Sequence, residues 1–213
     1  MIRTAMRFAF AALCLLSSAF AQAPLPDLKI DAITGGSVLF VRNSSQQPLV
    51  AYMIELVDYP GSSFSLSQDA LLSGEPIAPG VEKRIQITNM TVGAVPDYVK
   101  LSAAIYADGS TAGVPEKIVL LTGRRKAQLE VARDMIKRLE ASEDLSPWIE
   151  SLKPEGKPKY DSPTWVNRAA QHSFALHFKQ KLAVEPPTSV LAQLRTAERQ
   201  LAAALLLRTG QPE

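Results

Sequence analysis

The chain has 213 residues and a formal net charge of +2, from 23 basic and 21 acidic side chains, and it holds one cysteine. Both excess charges, Arg3 and Arg7, and the single Cys14 lie within residues 1–21. The chain after residue 21 is therefore formally neutral and cysteine-free, which excludes disulfides, thiolate metal ligands and a cysteine nucleophile there. Formal neutrality also argues against nucleic acid as a partner, since no global positive charge attracts it.

Residues 1–21 have the three parts of a secretory signal peptide. Two positive charges precede an apolar run at residues 8–16, and Ala19-Phe20-Ala21 is a small-residue cleavage site. The run is shorter than the roughly 20 apolar residues that cross a membrane, although an uncleaved anchor is the alternative. We expect export to the periplasm or the extracellular space, with no transmembrane segment after cleavage.

Residues 22–110 have the pattern of short strands separated by turn residues. Several such strands without intervening helices predict an antiparallel β-sandwich. Within the strand at 81–88, the alternation predicts that Val81, Ile85 and Ile87 share one side. The predicted strands cover 28–33, 37–43, 48–59, 81–88 and 97–109, with a further edge strand near 67–72.

Residues 111–213 change to helical periodicity after a small-residue turn at 109–115. Apolar residues at spacings of three and four predict a long helix over 115–141, whose stripe also includes Arg125. Residues 153–163 are rich in proline and lysine and predict a linker. Ser162 and Pro163 are suited to open a helix over 163–184. A last helix over 188–208 follows Pro186-Pro187, and we expect these two helices to form an antiparallel hairpin.

Two segments of the strand region resemble bacterial Ig-like, fibronectin-III-like domains. The segment VLFVRNSSQQPLVAYMIELVD has a strand that ends in Asn43, then a polar turn, then proline and the next strand. The segment GEPIAPGVEKRIQI contains Pro79-Gly80, which suits the centre of a type II turn. The resemblance implies an α+β protein with an N-terminal antiparallel Ig-like β-sandwich, followed by the long helix and the helical hairpin. Ig-like domains serve many roles, so the resemblance selects no activity.

No segment carries a catalytic or metal-binding motif that we interpret as an active site. The two histidines, His172 and His177, are five residues apart and lie about 140° apart around a helix, whereas zinc pairs need a spacing of four. We therefore expect no metal site, no cofactor and no catalytic residues. One alternative stays open, since two of the scattered carboxylates could meet as an acid/base pair: Glu55, Asp58, Asp69 and Asp97.

Two basic runs form a candidate anion-binding patch. We expect the patch to form if the linker folds back onto the long helix, with an anionic polymer of the cell envelope as its ligand. Arg125 falls on the apolar stripe, which predicts either a position at the rim of the sandwich or a carboxylate partner. The patch would consist of Arg124, Arg125, Lys126, Lys157 and Lys159, beside Lys153.

The function predicted from these observations is that of an exported, non-enzymatic interaction or structural protein. Its partner would be another protein or a second copy of the chain, which the apolar helix faces would contact. The alternative is a hydrolase or ligand-binding protein of the cell envelope. Its site would lie between the sandwich and the helices.

Overall fold

The computed structural model describes residues 23–72, 74–88 and 90–209. In these ranges the fold is α+β: seven strands come first in the chain and four α-helices follow. The signal peptide predicted for residues 1–21 lies outside the described residues. Among the described helices, none is both long enough and apolar enough for a membrane span.

The strands form two antiparallel sheets. One sheet has three strands in the order β1-β2-β5, and the other has four in the order β4-β3-β6-β7. Two short 3₁₀ turns lie between β5 and β6. The strand bounds are β1 Asp27–Ile33, β2 Gly36–Arg42, β3 Leu49–Leu56, β4 Ser65–Asp69, β5 Glu82–Thr88, β6 Val99–Tyr106 and β7 Thr111–Gly113.

The outer strands of the three-stranded sheet are covered on one face. In β5 exposed residues alternate with partly buried ones, so Ile85 and Ile87 share the inner side as predicted. The prediction for Val81 was wrong, because this residue precedes the strand and is 50% exposed. Its N–H donates to the Ala78 carbonyl across the predicted turn, in which Gly80 has a φ of 74°. The turn therefore sets where β5 begins.

The four-stranded sheet is buried on both faces at its centre. Successive side chains of a strand point to opposite faces, so a strand covered on both sides is apolar almost throughout. Tyr52 and Ile54 of β3 belong to a core shared with Leu39 and Val41 of the three-stranded sheet. Ala51 and Met53 of the same strand, with Ala103 and Ile105 of β6, belong to a core that the helices cover.

Strand β7 corrects the predicted boundary between the strand and helix regions. Residues 109–115 were predicted to be a turn, and the strand region to end at 110, but Thr111–Gly113 pairs with β6. Gly113 has a φ of 105°, and a Cβ on it would lie 2.3 Å from the Ser102 carbonyl oxygen. The edge strand therefore approaches β6 so closely that only glycine fits.

The helices begin at recognisable sequence signals. Pro115 occupies the first turn of α1 (Pro115–Glu140), where a missing N–H costs nothing. Asp144 caps α2 (Leu145–Ser151), and the Ser162 hydroxyl accepts a hydrogen bond from Trp165 N–H at the start of α3 (Pro163–Leu182). Helix α4 spans Pro187–Thr209. The predicted long helix at 115–141 thus ends one residue later than α1, and the predicted helix at 163–184 ends two residues later than α3.

Helix α1 organises the helical layer. Its first half packs on the outer face of the four-stranded sheet through Ile118 and Leu121. Its second half contributes Leu129, Ala132 and Met135 to a core built with α2, α3 and α4. Both α3 and α4 pack more extensively against α1 than against each other. The last two helices, predicted to pair as a hairpin, thus have α1 as their main common partner.

Candidate functional site

A cleft of about 230 Å³ lies where the edge strand β4 meets α1, α3 and α4. Its apolar walls come from Leu71 and Leu72 after β4, Leu121 of α1, and Phe174 and Phe178 of α3. The other lining residues are Ser67, Gln68, Asp69, Arg124, Gln128, Ser173, His177 and Ala197. A concave, mostly apolar site with a few polar groups is typical of small-ligand binding.

Asp69 connects the sheet to the helices at one end of the cleft. It pairs across the ladder with Ala51, so its side chain lies on the face that the helices cover. Arg125 of α1, which is 3% exposed, binds this carboxylate with both ends of its guanidinium: Nε lies 2.6 Å from Oδ2, and Nη2 lies 3.0 Å from Oδ1. Asp69 Oδ1 also accepts from Leu71 N–H at 3.1 Å. The carboxyl partner predicted for Arg125 is therefore Asp69.

Arg124 is the remaining cation at this point of the cleft. It is half-buried, and no other described residue forms an ion pair or hydrogen bond with its guanidinium. Burial lowers its pKa, and the charge of nearby Asp69 opposes that shift. Asp69 is already paired with Arg125, so its single negative charge offsets the positive charges of both Arg124 and Arg125. The cleft floor consequently carries an excess positive charge.

Gln128 lies one helical turn beyond Arg124 and contributes a buried acceptor. The residue is only 5% exposed and lines the cleft. Its Oε1 has no hydrogen-bond partner among the described residues. A buried polar atom without a partner costs free energy that a suitable ligand or water recovers. The oxygen is itself shielded from the cleft, so a donor there would reach it only after the Gln128 side chain turns towards that donor.

His177 stands at the open side of the cleft, next to the exposed Ser173. Partial desolvation of the imidazole, and then the charge of Lys181, lower its pKa below the usual value. The ring is therefore neutral at pH 7, and it packs edge-on against Phe178 at 5.2 Å between ring centroids. No group of three or more acidic, histidine or cysteine side chains in the described ranges is placed to hold a metal ion. His177 thus offers the mouth of the cleft a neutral polar group.

The five residues of the predicted anion patch have different environments in the structure. Arg124 lines the cleft, while Arg125 is held by Asp69. Lys126 is exposed, and it lies about 200° around the helix from Arg124. Lys157 and Lys159 are exposed in the segment between α2 and α3. Binding of an anionic polymer through the lysines stays a prediction, and of the five residues only Arg124 lines the cleft.

A second buried polar group connects β3, β6 and α1. Glu55 accepts from the Ser102 hydroxyl at 2.7 Å and from Lys117 Nζ at 2.8 Å. The cluster lies away from the cleft. Each of its groups has a hydrogen-bond partner, which is typical of a polar cluster that stabilises the fold. Of the scattered carboxylates, Glu55 and Asp69 each pair with a cation, not with each other.

Sequence reasoning missed Gln128 and the role of Asp69. Gln128 does carry a signal, because it continues the 121–125–128 spacing along the buried face of α1. Two polar residues on consecutive turns of an apolar stripe indicate a polar site within the core. Asp69 has no comparable signal, since its partner lies 56 residues away in the chain.

Comparison of the chain with protein-family models, with curated proteins and with solved structures finds no match. The cleft is therefore interpreted from its own geometry. Among the described residues, that geometry defines a partly enclosed cavity with apolar and polar walls, a cation (Arg124) beside the Asp69–Arg125 pair, and a buried acceptor without a partner, Gln128 Oε1.

Proposed function

We propose that the protein is an exported, non-enzymatic binding protein. In this proposal the two sheets form an Ig-like, fibronectin-III-like sandwich that serves as scaffold, and the cleft between β4 and the helices binds a small ligand. The sequence left an interaction protein and a protein with a site between sandwich and helices as alternatives. The unpartnered oxygen of Gln128, a residue that lines this cleft, is the observation that favours a ligand site.

The strand order supports the Ig-like part of the proposal. The sheets run β1-β2-β5 and β4-β3-β6-β7, so the chain changes sheet between β2 and β3, between β4 and β5 and between β5 and β6. Such crossovers between two antiparallel sheets are typical of Greek-key sandwiches. Side chains of both sheets also share one apolar core, as the layers of a sandwich do.

The chemistry of the cleft supports binding in preference to catalysis. Two serines, Ser67 and Ser173, line the cleft together with His177. In the described part of the chain, neither hydroxyl is hydrogen bonded to the imidazole, and Asp69 is engaged by Arg125. A nucleophile, its base and a carboxylate that orients the base are therefore not assembled. The remaining polar groups, Gln68, Arg124 and Gln128, are of the kind that orient a ligand.

Nuclear magnetic resonance of the mature protein tests whether the cleft binds ligands. Uniformly ¹⁵N-labelled protein is titrated with hexanoate and with hexane-1,3-diol up to about 10 mM, the range expected for such small molecules. We expect amide shifts concentrated on residues that line the cleft. Ser173→Trp, which fills the exposed mouth, should abolish these shifts, whereas Gln180→Trp on the same helix should preserve them.

Two results would contradict ligand binding in the cleft: no localised shift with either probe, or equal shifts in the Ser173→Trp variant. Export is tested separately by expressing the full chain in a Gram-negative bacterium. We expect periplasmic protein whose intact mass begins at Gln22. Full-length protein retained in the membrane would indicate the uncleaved anchor instead.

A further inference from the structure

We propose that the cleft selects a small, singly charged carboxylate that also carries a hydroxyl group and an apolar tail. Arg124 would bind the carboxylate, and Gln128 Oε1 would accept from the hydroxyl once the Gln128 side chain turns towards the cleft. This inference rests on the proposed ligand-binding function and specifies the class of ligand. It is carried by two side chains one helical turn apart on α1 that both line the cleft: Arg124, whose charge Asp69 balances only together with Arg125, and Gln128, whose oxygen has no partner among the described residues.

The charge balance of the cleft favours a monoanion. Asp69 neutralises Arg125, which leaves Arg124 as the excess charge. A half-buried guanidinium loses hydration, and a carboxylate restores two of its hydrogen bonds in bidentate geometry. A dianion such as phosphate would bring a second negative charge close to Asp69 with no further cation to offset it. One net positive charge therefore matches one carboxylate.

The unpartnered oxygen of Gln128 requires a donor that a carboxylate cannot provide. An ionised carboxylate only accepts hydrogen bonds, so a simple fatty acid would leave Gln128 Oε1 unsatisfied. A hydroxyl group close to the carboxylate satisfies it, because side chains four residues apart on a helix are neighbours about 6 Å apart. The ligand therefore needs an acid group and a donor within a few bonds of each other.

The cavity sets the size of the apolar part. About 230 Å³ is less than the roughly 300–1,000 Å³ of sites for drug-sized molecules. Leu72, Leu121, Phe174 and Phe178 contribute the large apolar side chains of its lining. A short aliphatic chain or a single ring fits these walls, whereas a long acyl chain does not.

A matched set of three probes separates the two polar contributions. The probes are 3-hydroxyhexanoate, hexanoate, which lacks the donor, and hexane-1,3-diol, which lacks the charge. Dissociation constants come from the same amide shifts. We expect 3-hydroxyhexanoate to bind about fivefold more tightly than hexanoate, as one neutral hydrogen bond allows, and about tenfold more tightly than the diol.

Variants on α1 assign each contribution to its residue. Arg124→Met should weaken both acids about tenfold and leave the diol unchanged, while Arg124→Lys should recover most of the loss. Gln128→Leu should make the two acids bind equally. Lys126→Met on the exposed side of the helix removes the same charge outside the cleft and should change nothing. Thermal unfolding of each variant checks that the fold persists.

The outcomes distinguish this inference from the function it rests on. Shifts at the cleft with equal affinity for all three probes would retain a binding cleft but overturn the selectivity. A preference of 3-hydroxyhexanoate over the diol that persists in Arg124→Met would overturn the role of Arg124. If no probe shifts the lining residues, the proposed function fails, and this inference fails with it.

Discussion

Replacing Asp69 with asparagine removes one charge and almost no volume at the junction of sheet and helices. The amide oxygen can still accept from Leu71 N–H, so the local turn persists. What disappears is the charge that balances Arg125, whose side chain is 4% exposed, against 18% for Asp69. Arg124 also loses the carboxylate that offsets its desolvation. The substitution therefore leaves two adjacent cations in a poorly hydrated place.

The magnitude follows from how deeply the pair is buried. Breaking a fully buried pair costs about 3–5 kcal/mol, and an exposed pair contributes about 0–1 kcal/mol. Since Asp69 retains some exposure, we expect Asp69→Asn to lower the free energy of unfolding by about 3 kcal/mol. Arg125→Met should cost less, about 1.5 kcal/mol, because it keeps the packed stem and leaves Asp69 with Arg124 as a nearby cation.

Urea denaturation of the chain from Gln22 onwards, followed by circular dichroism, measures these differences in the free energy of unfolding. They are given by the shift of the transition midpoint while the slope of free energy against urea concentration is unchanged. The double variant Asp69→Asn/Arg125→Met should be more stable than Asp69→Asn alone, because the most deeply buried unpaired cation is gone. Asp31→Asn, in the exposed pair with Lys29, is the matched control and should cost less than about 1 kcal/mol. If Arg125→Met cost as much as Asp69→Asn, the shared-carboxylate interpretation would be refuted.

Three further predictions concern the sheets. Asn43→Ala should destabilise the protein by about 3 kcal/mol in the same urea assay, because a fully buried amide loses three hydrogen bonds to the backbone; a loss below about 1 kcal/mol would contradict this role. Gly113→Ala should cost more than about 2 kcal/mol, since its φ is 105° and the added Cβ would lie 2.3 Å from a carbonyl oxygen of β6; unchanged stability would mean that β7 does not pair as described. Burial raises the pKa of both Tyr52 and Tyr106 to about 12, so ultraviolet titration should show two phenols ionising only near that pH. Because both phenols ionise near pH 10 once unfolded, their contribution to stability should be constant below pH 10 and fall between pH 10 and 12, and earlier ionisation without unfolding would contradict their burial.

Much of the element order was predictable because it depends on local chemistry. Asn43 shows this, because its side chain accepts from Ser45 N–H and closes the polar turn that the sequence indicated. Pro115 and Ser162 open α1 and α3 by supplying what a first helical turn needs. Such signals act within a few residues, so they can be recognised without knowing the rest of the fold.

The remaining features depend on pairing across long stretches of chain. Strand β7 has only three residues, too few for a periodicity, and β6 determines its position. The Asp69–Arg125 pair was predicted in part: the stripe indicated that Arg125 lies at the rim of the sandwich or has a carboxylate partner, but nothing local selects Asp69 among the carboxylates. The cleft itself arises from four elements that meet only after folding.

Helix α1 has a consequence for how the chain acquires its structure. Ile118 of α1 packs on the outer face of the sheet, against Met53 and Ile105. Met135 of the same helix is buried in the core that the helices form. During synthesis, the outer face of the four-stranded sheet therefore stays exposed to water until α1 has been completed. A fragment truncated at residue 110 would expose this apolar face to water and would therefore be prone to aggregation. Because the single helix α1 contributes to both cores, the sheets and the helices should unfold together in one calorimetric transition on heating.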